Sequence, residues 1–211
     1  MHLIKHFLLF FCFTFLYSES YPYRDISCPI IKLDEGANIY IITPMRTGST
    51  LIFNIIKYLF EDKRVEINKG RVKKRHAPIN NYTHKEIIFT CIRNPLSILA
   101  SLKNVGLEMS IIDPIKSHEL TRKNCGKLVV FKYEEFQNNN FEYIFNILES
   151  NLNIQICKKE KDFIEKNFNL LKMKEIQNRY NKFSKHDRIT HIHGNHINNS
   201  DYRKVFSKEE Q

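Results

Sequence analysis

The stretch Ile39-Tyr40-Ile41-Ile42-Thr43-Pro44-Met45-Arg46-Thr47-Gly48-Ser49-Thr50, continued by Leu51 to Phe60, decides the fold. Ile39–Ile42 is a short apolar, mostly β-branched run that stops at Thr43-Pro44, which reads as a strand buried on both faces. Ser49–Phe60 is dense in apolar residues and reads as a helix packed on the sheet. The turn between them leaves backbone N–H groups unpaired at a helix N-terminus, where the helix dipole also favours an anion. Gly48 permits close backbone approach. Ser49 and Thr50 add hydroxyls and Arg46 adds a fixed positive charge. An ordinary capped strand–helix turn explains the same residues almost as well. The nucleoside-triphosphate loop G-x-x-x-x-G-K-[ST] is absent, with Ser49 where its Lys would stand, so magnesium–triphosphate chemistry loses support while anion binding does not.

Outward from this unit, the charged stretch Glu61 to Thr83 contains a short strand at Val72–Arg75, and Ile87–Ile92 is a clear strand. Asn94 is a helix N-cap with Pro95 at the first helical position. Leu128–Phe131 is another strand, and Phe141–Leu152 and Lys158–Met173 read as helices. The tail after Tyr180 is polar and rich in His and Asn. Strands alternating with helices imply an α/β fold with a mostly parallel central sheet flanked by helices.

Two further stretches carry candidate chemistry. The strand Ile87–Ile92 delivers Arg93 to its carboxyl end, where open α/β sheets bind ligands. Ser101 lies two turns along the next helix, so Arg93 and Ser101 could hold a second phosphate, Arg through its planar fork. Taken alone, an Arg paired with a carboxylate is the simpler reading. In Lys74-Arg75-His76-Ala77-Pro78, a His at a strand end can act as a base near neutral pH. The chain has nine His, and His76 stands out only through its neighbours.

The chain of 211 residues, 42% hydrophobic and 27% charged, has the composition of one globular domain with a real core. The absence of Trp and the mere six Gly exclude collagen-like and Gly-linker classes. A net charge of +10 suits a polyanionic partner without choosing among nucleic acid, anionic membrane, nucleotide and sulfated glycan. The basic run Arg71–Arg75 is by itself a solvated face.

Phe7–Tyr17 is an apolar run preceded by Lys5 and followed by Ser18 and Ser20. At roughly half the ~20 residues of a spanning helix, it reads as a signal peptide or short signal-anchor over 1–20. Cys12 lies in that segment. Cys28, Cys91, Cys125 and Cys157 match no zinc pattern. Cys91 reads as a small core residue, and one disulfide with Cys28 as a member is an expectation. Asn81-Tyr82-Thr83 and Asn198-Asn199-Ser200 are glycosylation sequons.

Strand–PMRTGST–helix, then KRHAP, then IRNPLSILAS, then Val130-Phe131-Lys132-Tyr133-Glu134-Glu135-Phe136 together resemble the P-loop sulfotransferases, from about Ile39 to Phe206. That family moves a sulfuryl group from 3′-phosphoadenosine 5′-phosphosulfate (PAPS) to an acceptor. The resemblance implies a three-layer P-loop domain over 21–211, with Arg46, Thr47, Gly48, Ser49 and Thr50 forming the 5′-phosphosulfate loop. It implies that Arg46 stands at the family's catalytic Lys/Arg position, that Arg93 and Ser101 bind the 3′-phosphate, and that His76 is the base. Lys74 matches a Lys two residues before that His, and Tyr133 a Tyr near the adenine. His193 and Gly194, in Ile192–Ile197, resemble the loop closing over the 3′-phosphate end, with Tyr202 replacing a common Trp. The position of the family's adenine-stacking aromatic is Leu51 here, so either Phe53 substitutes or adenine is held less firmly. The expected partners are PAPS, giving PAP as product, and a hydroxyl acceptor on a carbohydrate or secreted protein. No metal and no nucleic acid are expected, and membrane contact is expected only through the N-terminal segment. An export signal points to the secretory pathway, and to the Golgi lumen in a eukaryote, because PAPS is imported there. The competing expectations are a small P-loop kinase, and a non-catalytic polyanion binder.

Overall fold

The computed structural model describes residues 37–61, 71–76, 86–124, 128–179, 192 and 202–207. Strand β1 (Ile39–Ile42) is buried on both faces. Successive side chains of a strand point to opposite faces. Ile39 and Ile41 accordingly enter the main core, while Tyr40 and Ile42 pack with Ile88 on the other side. β1 is flanked by β2 (Val72–Arg75) and β3 (Ile87–Ile92), and β4 (Leu128–Lys132) lies beyond β3. All three pairings are parallel, with Ile42 opposite Arg75 and Ile92 opposite Lys132. The mostly parallel sheet expected from the sequence is wholly parallel among the described strands.

Parallel neighbours need crossover connections. Helix α1 (Ser49–Phe60) connects β1 to β2. Helices α2 (Pro95–Lys103) and α3 (Ile112–Asn124) connect β3 to β4. The first connection moves one way across the sheet and the second the other way. With the usual right-handed crossover they lie on opposite faces, which gives three layers. The main core joins Ile52, Phe53, Ile55, Ile56 and Leu59 of α1 to later helices. These are α5 (Phe141–Leu152), α6 (Lys158–Phe168) and α7 (Leu170–Asn178), reached through the short α4 (Tyr133–Phe136). A last short helix, α8 (Tyr202–Val205), packs against α2.

Most helix boundaries follow the sequence. Asn94 caps α2, its side chain accepting from Leu96 N at 2.9 Å, with Pro95 behind it. The single helix expected over Lys158–Met173 is instead two, broken at Asn169, whose backbone is extended. Its side-chain amide donates to Lys166 O at 2.8 Å and its oxygen accepts from Lys172 N at 3.1 Å. One side chain thus closes α6 and opens α7, satisfying backbone groups that a continuous helix would have paired internally. The sequence reading had no helix at α3, because that helix has no apolar stripe: Ile112, Ile115 and Leu120 are exposed on it.

The expected signal segment, Cys12, Cys28, Cys125 and both sequons lie outside the described residues. Cys91 is fully buried as a core residue, and both it and half-buried Cys157 are free thiols. No described helix is long and apolar enough to cross a membrane.

Candidate functional site

Because the sheet is parallel, every strand ends at the same edge, and the segments leaving β1, β2 and β3 meet there. The chain leaves β1 to one side and β3 to the other. That divergence makes the carboxyl ends of β1 and β3 the topological switch point, the usual ligand position in an open α/β sheet.

The loop after β1 is held from within. Thr43 Oγ1 donates to Cys91 O at 3.0 Å and also meets the hydroxyl of Thr47, which donates to Pro44 O at 3.0 Å. The Thr47 hydroxyl is therefore turned into the loop, leaving its backbone as the part that can serve a ligand. Arg46 and Gly48 both adopt left-handed backbone, φ 66° and 80°. Such a conformation is costly for arginine and collects at binding sites. Gly48 is required for a second reason. A Cβ there would lie 2.6 Å from Tyr133 Cδ2 and 2.9 Å from Phe136 Cε2. Ser49 and Thr50 follow as the first residues of α1, so their N–H groups have no intrahelical acceptor within reach.

Arg46 joins this loop to the segment after β3. Its Nε donates to Ser101 Oγ at 2.8 Å, and its carbonyl accepts from Arg93 Nη1 at 2.8 Å. Ser101 is buried, and both arginines are half-buried. Burial first, and then the Arg93 charge, push the Arg46 guanidinium down to about 10, which leaves it charged at neutral pH. Burial also lowers Arg93. Two cations are thus held together in a poorly hydrated corner, an arrangement that an anion would relieve. Arg93 Nε is buried and has no hydrogen-bond partner among the described residues. A buried guanidinium donor left unmade is costly, and it suits a phosphate oxygen.

Tyr133 completes the corner. The Arg93 guanidinium lies over its ring, 4.2 Å from the centroid, and Phe136 meets the ring edge-on at 5.4 Å. Glu134 Oε1 accepts from Asn94 N at 2.8 Å, tying the start of α4 to the start of α2. The sequence reading missed Thr43, Glu134 and Phe136 as parts of this corner. Glu134 and Phe136 stand in the Val130–Phe136 block without an assigned role, and Thr43 was marked only by its placement just after a strand end.

On the other flank, Lys74 is buried, 6% exposed, and its Nζ donates to Thr50 Oγ1. Burial drives its ammonium down to about 7, opposed by Cys91 and reinforced by Arg46. His76 follows β2 with exposed surface, and its Nδ1 sits 3.0 Å from Thr43 O. A carbonyl can only accept, so Nδ1 carries the proton and Nε2 presents a lone pair. Desolvation and then the Lys74 charge lower His76, keeping its imidazole neutral.

The structure thus brings together Arg46, Thr47, Gly48, Ser49, Thr50, Lys74, Arg93, Ser101 and Tyr133, with His76 bonded to the base of the loop. His193 and Gly194 lie outside the described residues, although Ile192 just before them is buried in the main core. Tyr202 is half-buried at the start of α8, and Phe206 beyond that helix lies 5.2 Å beneath Lys103 Nζ, on the helix that carries Ser101. Phe53 cannot stand in as a stacking aromatic: it is fully buried in the main core, because α1 turns that position inward. Leu51 is half-buried. No group of His, Cys, Asp and Glu among the described residues could hold a metal ion.

No family model and no curated protein matches the sequence. Among solved structures, the chain is similar to a mouse sulfotransferase, SULT7A1, in complex with PAP. The TM-score is 0.53 at 15% identity, covering 82% of this chain and 79% of that one. At that identity the likeness is one of fold, and it extends across most of both chains: a parallel sheet flanked by helices, consistent with the P-loop sulfotransferase architecture.

Proposed function

We propose that this chain is a sulfotransferase that moves a sulfuryl group from PAPS to a hydroxyl acceptor. The observation that carries this reading is the double engagement of Arg46, through its side chain with Ser101 and through its carbonyl with Arg93. It makes one cluster of the α1 N-terminus and two donors suited to a second phosphate, and PAPS carries phosphates at two ends. The fold shared with a PAP-bound sulfotransferase supports the same donor.

Sulfuryl transfer, like phosphoryl transfer, asks the protein mainly for alignment and charge stabilisation. The acceptor oxygen attacks sulfur as the bond from sulfur to the nucleotide phosphate breaks, and negative charge grows on the departing phosphate. The amides of Ser49 and Thr50, the Arg46 guanidinium and the Lys74 ammonium meet that charge. Arginine does not give up its proton, so the acceptor proton goes to His76 Nε2, with Nδ1–H anchored on Thr43 O. Arg93 and Ser101 hold the 3′-phosphate. The acceptor belongs to a carbohydrate or a secreted protein, a reading that rests on the apolar segment Phe7–Tyr17 and on a lumen supplied with PAPS.

Thermal unfolding in the presence of PAP, or of ATP with magnesium, tests this. The expected result is stabilisation by PAP and transfer of labelled sulfate from PAPS to a hydroxyl compound. Stabilisation by magnesium–ATP alone would replace the reading with a kinase. Indifference to both nucleotides would leave a polyanion binder.

A further inference from the structure

Tyr133 has more than one neighbour at the site. The Arg93 guanidinium covers one ring face at 4.2 Å. The Cδ2–Cε2 side of the ring is pressed against Gly48 so closely that a methyl group there would sit 2.6 Å from it. Phe136, one turn along α4, braces the ring edge-on, and Glu134 anchors the same short helix to Asn94 N, the residue after Arg93. The half-buried ring is thereby wedged between the anion loop and the arginine.

We propose that Tyr133 is a positioning residue, whose ring holds Arg93 against the anion loop so that the guanidinium is set for a 3′-phosphate. The inference rests on the PAPS reading above. It assigns Tyr133 an action through Arg93 in place of the position near the adenine that the resemblance implies. Flexible arginine otherwise loses rotamer entropy on binding. An aromatic face that orders it beforehand removes that cost. One further donor, Arg93 Nε, is buried without a partner among the described residues and is an atom this arrangement keeps ready.

Calorimetric titration of PAP and of adenosine 5′-phosphate, which lacks the 3′-phosphate, decides the matter on wild type, Tyr133→Phe and Tyr133→Leu. The expected pattern is about tenfold weaker PAP binding in Tyr133→Leu, between the values for exposed and for desolvated cation–π contacts. Adenosine 5′-phosphate binding should be unchanged, and Tyr133→Phe should behave as wild type for both. In an Arg93→Ala background, Tyr133→Leu should cost nothing further. Equal losses for the two nucleotides, or a Phe variant as weak as the Leu variant, would overturn the proposal, as would a Leu variant that binds PAP normally. If Tyr133→Leu does not fold, Tyr133→Phe decides alone: retained preference for PAP supports the role, and a tenfold loss refutes it. A wild-type protein that binds neither nucleotide defeats the sulfotransferase reading itself, an outcome separate from any of these.

Discussion

Arg46 Nε and Ser101 Oγ are joined at 2.8 Å across 55 positions of sequence. The bond brings a residue of the loop after β1 onto the buried face of the helix after β3. The two variants separate two functions. Arg46→Ala removes a charge donor at the reacting end and should lower kcat by about 10²–10³. Ser101→Ala should instead raise KM for PAPS with kcat nearly kept. Steady-state kinetics with PAPS as varied substrate read the split, and equal effects on kcat would refute the assignment.

His76→Ala should abolish transfer while leaving PAP affinity within about twofold, since general-base catalysis contributes roughly 10²–10⁴. Turnover at the wild-type rate in this variant would remove His76 as the base.

Lys74 gives a pH signature. Burial holds its folded-state pKa at about 7, below its ordinary 10.5. Between those two values the unfolded chain binds the proton and the folded one does not, so stability rises with pH across that window. Below it both states are protonated and the folded protein carries the full cost of a buried ammonium. Melting temperatures of the ligand-free protein should therefore climb from about pH 7 toward about pH 10. The slope should flatten in Lys74→Met, and with PAP bound, because an anion favours the ammonium. An unchanged slope in Lys74→Met would show that other groups set it.

Gly48→Ala should be severe. The residue has φ 80°, and the new methyl would meet Tyr133 at 2.6 Å. Left-handed strain and overpacking each cost about 1–3 kcal/mol. A drop in melting temperature together with lost PAP binding is expected, and a variant of native stability would contradict the geometry.

Asn169→Ala removes the side chain that terminates α6 and starts α7. Loss of a cap typically costs about 0.5–2 kcal/mol. Denaturant unfolding should show it, with nucleotide binding unaffected, because neighbouring Phe168 packs on Tyr58 near the end of α1 remote from the loop.

The strands and the site helices were legible because their signals are local. Ile39–Ile42 is an unbroken apolar run, Ile87–Ile92 is one interrupted only by Thr90, and Asn94-Pro95 spells its own cap. The break at Asn169 was not legible, since nothing in the sequence says that one amide will serve two helix ends. Helix α3 escaped because Ile112, Ile115 and Leu120 face solvent and leave no periodic stripe. Within the site, residue identities followed from motif order, but their connections did not. The arginine pair joined through a carbonyl, the inward Thr47 hydroxyl and the Tyr133 wedge depend on register between strands far apart in the chain. Phe53 shows the converse failure: its proximity in sequence suggested a stacking ring, and helical phase sent it into the core.

The arrangement of β1 between β2 and β3 also bears on biosynthesis. The central strand leaves the ribosome before either neighbour, and its partners begin only at Val72 and Ile87. Until those segments emerge, Ile39–Ile42 is an apolar ribbon with both edges bare and no hairpin within reach. We expect nascent chains truncated shortly after α1 to be held by chaperones or to aggregate, and release to follow translation through β3.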